Sequence, residues 1–146
     1  MGQPHYKIEY SIARKAYLFV SQGRHGCVDK VVTFQLIGND IYNLAFGDWK
    51  RDDIEFDDLV VTDNGDMEMV LSTVIEITKM FLAANPDVYV YFTGSTAART
   101  RLYQIIIGNI SEIVVGQYDV WGELEGHWVP FEKNVNYEAF LVSKSL

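Results

Sequence analysis

The chain has 146 residues, of which 49% are apolar and 22% are charged, and its formal net charge at pH 7 is −8. These are values of an ordinary globular protein, and they argue against a disordered chain and a membrane-spanning one. The length predicts a single domain over residues 1–146, large enough to fold around its own core.

The first third of the chain has the composition of β-strands. Tyr, Val, Ile and Phe are frequent there, and turns that contain glycine separate the apolar stretches. Gly38, Asn39 and Asp40 suit a short hairpin connection, because Gly and Asn tolerate positive φ. The predicted strands cover residues 6–11, 16–22, 30–37 and 41–46.

A long amphipathic helix is predicted over residues 66–84. Asp63 or Asn64 is expected to cap its free amides, and the acids Asp66 and Glu68 complement the positive end of its dipole. Pro86 ends it, since the residue before a proline leaves the α region.

The second half predicts a strand, a second helix and three closing strands. A short apolar run at 88–93 ends at Gly94, and an apolar helical pattern follows over residues 96–113. The closing strands are expected at residues 117–124, 127–131 and 137–143. The fold class is therefore α+β, with a curved, mostly antiparallel sheet packed against the helices 66–84 and 96–113.

The junction between the strand 88–93 and the second helix is the candidate anion-binding site. Free amides at a helix N-terminus attract anions, hydroxyls add hydrogen bonds, and arginine matches phosphate oxygens. The candidate ligand-binding residues are Gly94, Ser95, Thr96, Arg99, Arg101 and Tyr103. The spacing is not that of a nucleotide-hydrolysing phosphate loop, so it predicts affinity and not hydrolysis.

A purely structural role for this junction stays open. Ser95 or Thr96 would then only cap the helix, and Arg99 and Arg101 would pair with acids of the segment 48–68. The two arginines lie about 200° apart around a helix, so they are not expected to face one ligand together.

The segment 48–68 holds nine acidic residues against two basic ones, and the rest of the chain is almost neutral. This acidic segment is a candidate docking site for a basic protein partner.

No metal site or cofactor is predicted. His5, His25 and His127 are scattered, and the single cysteine Cys27 forms neither an internal disulfide nor a cysteine-based metal site. Strand alternation places Asp119 and Glu123 on one face, which fits either paired carboxylates of a metal-dependent nuclease or a solvated sheet face.

Aromatic residues make up 14% of the chain, and many of them lie on predicted strands close to cations. A sheet that presents rings and cations is a known platform for single-stranded nucleic acid, although most rings are needed in the core. The cations in question are Arg14, Lys15, Arg24 and Lys30.

Three blocks of the sequence, at residues 42–48, 61–66 and 92–103, are YNLAFGD, VTDNGD and FTGSTAARTRLY. With these blocks the chain resembles a family of small bacterial conserved hypothetical proteins, a domain of unknown function. The resemblance implies a bacterial, cytoplasmic protein and supplies no catalytic residues. A cytoplasmic location also fits the N-terminal residues, which lack the apolar run of a secretory signal.

Three functions remain as hypotheses. The preferred one is a non-enzymatic binding module for a phosphate-bearing ligand, including single-stranded nucleic acid. The second is a small nuclease or hydrolase, such as the toxic component of a toxin-antitoxin pair, with Arg99, Arg101, Tyr103 and His127 around a phosphate. The third is a protein-interaction domain that uses the acidic segment 48–68, and no membrane partner is expected in any of them.

Overall fold

The computed structural model describes residues 4–49, 64–94, 96–111 and 116–145. Eight strands and two helices lie in these ranges. The helices are α1 (Met67–Ala84) and α2 (Ala97–Ser111). The strands are β1 (Glu9–Ser11), β2 (Ala16–Gly23), β3 (Gly26–Gly38), β4 (Ile41–Asp48), β5 (Tyr89–Phe92), β6 (Tyr118–Leu124), β7 (His127–Pro130) and β8 (Ala139–Lys144).

All eight strands form one open sheet in the order β1-β2-β3-β4-β5-β8-β6-β7. Only the β4–β5 pair is parallel among these strands, and α1 lies between the two in the chain. This is the expected geometry, since parallel neighbours need a long crossover connection. The prediction of an α+β fold with a mostly antiparallel sheet and two helices is confirmed.

The helices pack on one face of the sheet, and the core lies between the two layers. Phe34 of β3 stacks on Phe81 of α1 with ring centroids 4.0 Å apart, and Phe92 of β5 contacts Tyr103 of α2 at 5.0 Å. Burying such rings supplies a large part of the hydrophobic stabilisation. Among the described residues, neither helix is long and apolar enough to cross a membrane.

Several predicted boundaries shift for identifiable reasons. β1 begins at Glu9 and not at residue 6, because the Tyr6 amide donates to Thr73 Oγ1 at 2.9 Å instead of to a strand. β8 begins at Ala139 and not at residue 137, because the Tyr137 amide donates to Gln104 Oε1 at 3.3 Å. Position 113, the predicted end of the second helix, lies outside the described residues.

The hairpin between β3 and β4 is confirmed, but the residue with positive φ is Asp40, at 59°. Aspartate tolerates this left-handed conformation nearly as well as asparagine does. The prediction that Gly38 or Asn39 supplies the positive φ is therefore wrong.

The start of α1 is held by long-range hydrogen bonds and not by the predicted side-chain cap. Asp66 is the N-cap residue but makes no capping bond with its side chain. Its carboxylate instead accepts from Tyr6 Oη and Ser21 Oγ, both at 2.5 Å. The fully buried Asn64 accepts from the His25 amide at 2.6 Å. These contacts join the start of α1 to the β2–β3 hairpin, and Asp63, the other predicted cap, lies outside the described residues.

Candidate functional site

The candidate site begins where β5 runs into α2, and Gly94 allows a very close approach there. The Gly94 amide donates to Thr100 Oγ1 at 3.0 Å. A Cβ atom at Gly94 would overlap the backbone nitrogen of Thr100 and lie 2.8 Å from the carbonyl carbon of Arg99. Glycine at this position therefore brings the end of β5 against the first turn of the helix.

Thr96 caps α2 from within the chain. Its Oγ1 accepts from the Arg99 amide at 3.2 Å, and its carbonyl accepts from the Thr100 amide at 3.0 Å. No hydrogen bond among the described residues uses the amides of Ala97 and Ala98. Both residues are exposed, and N–H groups of a first helical turn point out of the helix end. Two donors and the positive end of the helix dipole are thus available to a ligand.

These residues border a depression of about 920 Å³. One wall is the first two turns of α2 with Ala97, Ala98 and Arg101, and the opposite wall is the segment Asn136, Tyr137 and Glu138 that leads into β8. Thr93 also lines the depression, and its Oγ1 donates to the Glu138 carbonyl at 2.8 Å, which connects the end of β5 to this segment. The volume is in the range of small-molecule sites.

The two arginines have different surroundings, as their angular separation predicts. Arg101 is exposed, lines the depression and makes no ion pair with any described residue. Arg99 is half-buried, does not line the depression, and is held by contacts of its own. Only Arg101 is positioned to meet a ligand in the depression.

Tyr103 lies beneath the site and not in it. Its side chain is 1% exposed and its ring packs against Phe46 and Phe92. Burial raises the pKa of Tyr103 far above its ordinary value, and the nearby positive charge of Arg99 lowers it by a smaller amount. A hydroxyl so buried and so weakly acidic does not contact a ligand at the surface, which removes Tyr103 from the predicted contact set.

The other predicted residues divide in the same way. Gly94 and Thr96 line the depression, whereas Ser95 lies outside the described residues. Sequence reasoning missed Asn136 and Glu138, because nothing in their local pattern marks them and the fold alone brings them opposite α2. Thr100 had a recognisable signal, since a hydroxyl four residues after Thr96 often bonds to that residue's carbonyl, as it does here at 3.0 Å.

Two acids of the segment 48–68 are engaged inside the protein. Asp48 forms an ion pair with the fully buried Lys30, and Asp66 accepts the hydrogen bonds from Tyr6 and Ser21. Glu68 is exposed, and residues 50–63 lie outside the described ranges. The burial of Lys30 also removes one of the cations that would have accompanied the rings in a nucleic-acid platform.

No group of three or more His, Cys, Asp or Glu side chains in the described ranges is arranged to hold a metal ion. His127 is exposed on β7, and it is not among the residues that line the depression.

Residues 2–145 match a family of unknown function (DUF6934). The chain belongs to this family. The match to DUF6934 covers all the elements described above, including both walls of the depression. No curated protein and no solved structure matches the chain.

Proposed function

We propose that this member of DUF6934 is a non-enzymatic binding module, and that the depression at the amino end of α2 takes a phosphate-bearing ligand. The observation that carries the proposal is that Ala97 and Ala98, whose amides have no hydrogen-bond partner among the described residues, line the same depression as the exposed Arg101. Helix amides and a guanidinium group are complementary to the oxygens of a phosphate.

Binding is favoured over catalysis by the residues that line the depression. Thr96 and Thr100 use their hydroxyls within the first turn of α2, and the Tyr137 hydroxyl accepts from the Glu132 amide at 2.8 Å. Among the lining residues in the described part of the chain, Glu138 alone has a side chain able to act as a general base. A small hydrolase with Tyr103 and His127 at the phosphate is less well supported, since Tyr103 is buried and His127 is not part of the lining.

Glu138 limits which anions the site accepts. Its carboxylate is exposed on the wall opposite Arg101, so it repels negative charge that reaches across the depression. The site therefore best fits a ligand with a single phosphate near α2, whose other part is uncharged or forms hydrogen bonds near Glu138. The terminal phosphate of a single-stranded nucleic acid belongs to this class.

The test is a titration with inorganic phosphate, followed by the amide resonances of the labelled protein. We expect the signals of Ala97 and Ala98 to shift in a saturable way. Replacing Arg101 by alanine should weaken binding about tenfold, which is about 1.4 kcal/mol, and Arg101→Lys should weaken it less. The matched control is Lys144→Ala, an exposed cation on β8 outside the depression.

Short oligothymidylates with and without a 5′-phosphate extend the test to nucleic acid. The phosphorylated form should bind more tightly, with a shallow dependence on salt that reflects one or two phosphate contacts. Turnover of phosphate esters by the wild-type protein, or amide shifts that are equal in Arg101→Ala and wild type, would argue against the proposal.

A further inference from the structure

The face of the sheet away from the helices carries a patch of four aromatic rings. Side chains alternate between the two faces of a strand, so residues next to the buried Val90, Phe140 and Val142 point away from the core. Tyr89 and Trp128 of the patch are 39% and 40% exposed. The aromatic patch consists of Tyr89, Tyr91, Trp121 and Trp128.

The register of the strands explains how the rings meet. Leu141 of β8 pairs with Tyr91 on one side and with Trp121 on the other, so these three side chains form one row across the sheet. The Tyr91 and Trp128 rings lie 6.0 Å apart at 80°, and the Tyr89 and Trp121 rings lie 6.0 Å apart at 56°. Each pair contains one exposed ring, Trp128 in the first and Tyr89 in the second.

Two carboxylates flank the rings on the same face. Glu123 is the cross-strand partner of Trp128, and Asp119 precedes Trp121 by two residues. Asp119 accepts a hydrogen bond from Ser145 Oγ at 3.0 Å, while the Glu123 carboxylate makes no ion pair with any described residue. Burial, with a smaller contribution from the charge of Glu123, raises the pKa of Tyr91, which indicates that this carboxylate lies close to the ring.

No lysine or arginine lies on this face of β5, β8, β6 and β7. The faces of aromatic rings and the neighbouring carboxylates both attract cations and repel anions. The patch is therefore the electrostatic opposite of the depression at α2, and its ligand is of a different class.

We propose that the aromatic patch binds lysine or arginine side chains presented by a basic segment of a partner protein. The negative charge and the rings of the patch indicate that its ligand is a cation. The width of the patch indicates that several cations bind together. Four adjacent strands span about 14 Å, whereas a cation contacts a ring within about 6 Å of its centre. The patch thus accommodates more than one cationic side chain at once, as a peptide segment presents them.

The test measures binding of fluorescein-labelled oligoarginine and oligolysine peptides by anisotropy. The tryptophan emission of the protein reports the location, because two of its three tryptophans lie in the patch. We expect saturable binding with a change in tryptophan emission, and no binding of an oligoglutamate peptide. Trp128→Ala should weaken binding about tenfold, and Glu123→Gln about threefold.

Glu9→Gln on the edge strand β1 is the matched control for net charge, because this exposed acid lies at the opposite end of the sheet from the patch, and it should leave the affinity unchanged. Arg101→Ala should leave it unchanged as well, which separates this inference from the phosphate site. Equal weakening by Glu9→Gln and Glu123→Gln would overturn the proposal, because attraction to the net negative charge would then suffice. Tetramethylammonium that binds as tightly as the peptides would also overturn it in favour of a small organic cation. Because Trp128 lies outside the core and Glu123→Gln is isosteric, both variants are expected to fold.

Discussion

Replacement of Gly94 by alanine tests the junction between β5 and α2 most directly. The added Cβ would overlap the backbone nitrogen of Thr100 and lie 2.8 Å from both the Arg99 carbonyl carbon and Thr100 Oγ1. Two of these atoms are backbone, so no rotamer change relieves the contact. The strand end and the helix must separate, which also breaks the hydrogen bond from the Gly94 amide to Thr100 Oγ1.

The expected loss of stability follows from these two contributions. Overpacking of a tight site costs about 1–3 kcal/mol, and a lost hydrogen bond costs about 1 kcal/mol. The free energy of unfolding should therefore fall by about 2–4 kcal/mol, and Tm by about 5–15 °C for a chain of this size.

Urea unfolding followed by circular dichroism measures this change. Gly38→Ala is the matched control, since a Cβ there meets nothing closer than 3.9 Å and the glycine does not have a positive φ. It should alter the free energy of unfolding by less than about 0.5 kcal/mol. If Gly94→Ala and Gly38→Ala unfold at the same urea concentration, the close approach at Gly94 does not exist as described. The same variant should weaken phosphate binding, because it displaces the amides of Ala97 and Ala98.

Two further substitutions test buried polar groups. Tyr103 has a buried hydroxyl with no hydrogen-bond partner among the described residues, so Tyr103→Phe should raise the free energy of unfolding by about 1 kcal/mol at neutral pH, measured in urea. Because the folded-state pKa of Tyr103 is raised above its ordinary value of 10.0, the unfolded chain loses this proton first. The free energy of unfolding should fall as pH rises above 10, and this group contributes up to about 1.4 kcal/mol per pH unit to the fall. Tyr103→Phe should therefore show a shallower fall than the wild type. Identical alkaline profiles of the two proteins would contradict the burial of Tyr103. Asn64→Ala removes three side-chain hydrogen bonds, to the His25 amide, Ser21 Oγ and the Gly26 carbonyl. It should lower the free energy of unfolding by about 3 kcal/mol, measured in urea. Asn39→Ala in the exposed β3–β4 turn should leave this free energy nearly unchanged.

The sequence predicts α1 well because its signal is local. The apolar residues recur at helical spacing, and the observed helix Met67–Ala84 differs from the predicted 66–84 by one residue. The interactions that hold its first turn are not local, since Ser21 and Tyr6 are far away in the chain. Local pattern predicts a capping role for Asn64 and a favourable dipole interaction for Asp66, and only the folded arrangement reveals their other partners.

The orientation of α2 was harder to predict. Its buried face includes Thr100, Tyr103, Gln104 and Ile107, while Ile105, an apolar residue in the predicted pattern, is 53% exposed. Thr100 and Gln104 are polar, and they are buried because Gly94 and Tyr137 supply their hydrogen bonds. Hydrophobic periodicity cannot detect buried polar positions such as these, and it therefore does not reveal which face of α2 is buried. Tyr103 was predicted as a ligand contact for this reason, whereas its ring belongs to the core.

The neighbours of the site depend on strand order, which local patterns do not encode. Segment 136–138 faces α2 because β8 pairs with β5. Gly94, Thr96 and Arg101 lie at a strand-helix junction that local patterns predict, whereas no local pattern predicts the segment opposite them.

The interior position of β8 also constrains the order in which the protein can assemble. During synthesis β5 can join β4, and β6 can form a hairpin with β7, before residues 139–144 leave the ribosome. The β1–β5 part of the sheet and the β6–β7 hairpin then each have an unpaired strand edge, and both edges pair with β8 in the folded protein. Because open strand edges can pair with foreign strands, the nascent chain is exposed to aggregation during the interval before β8 docks.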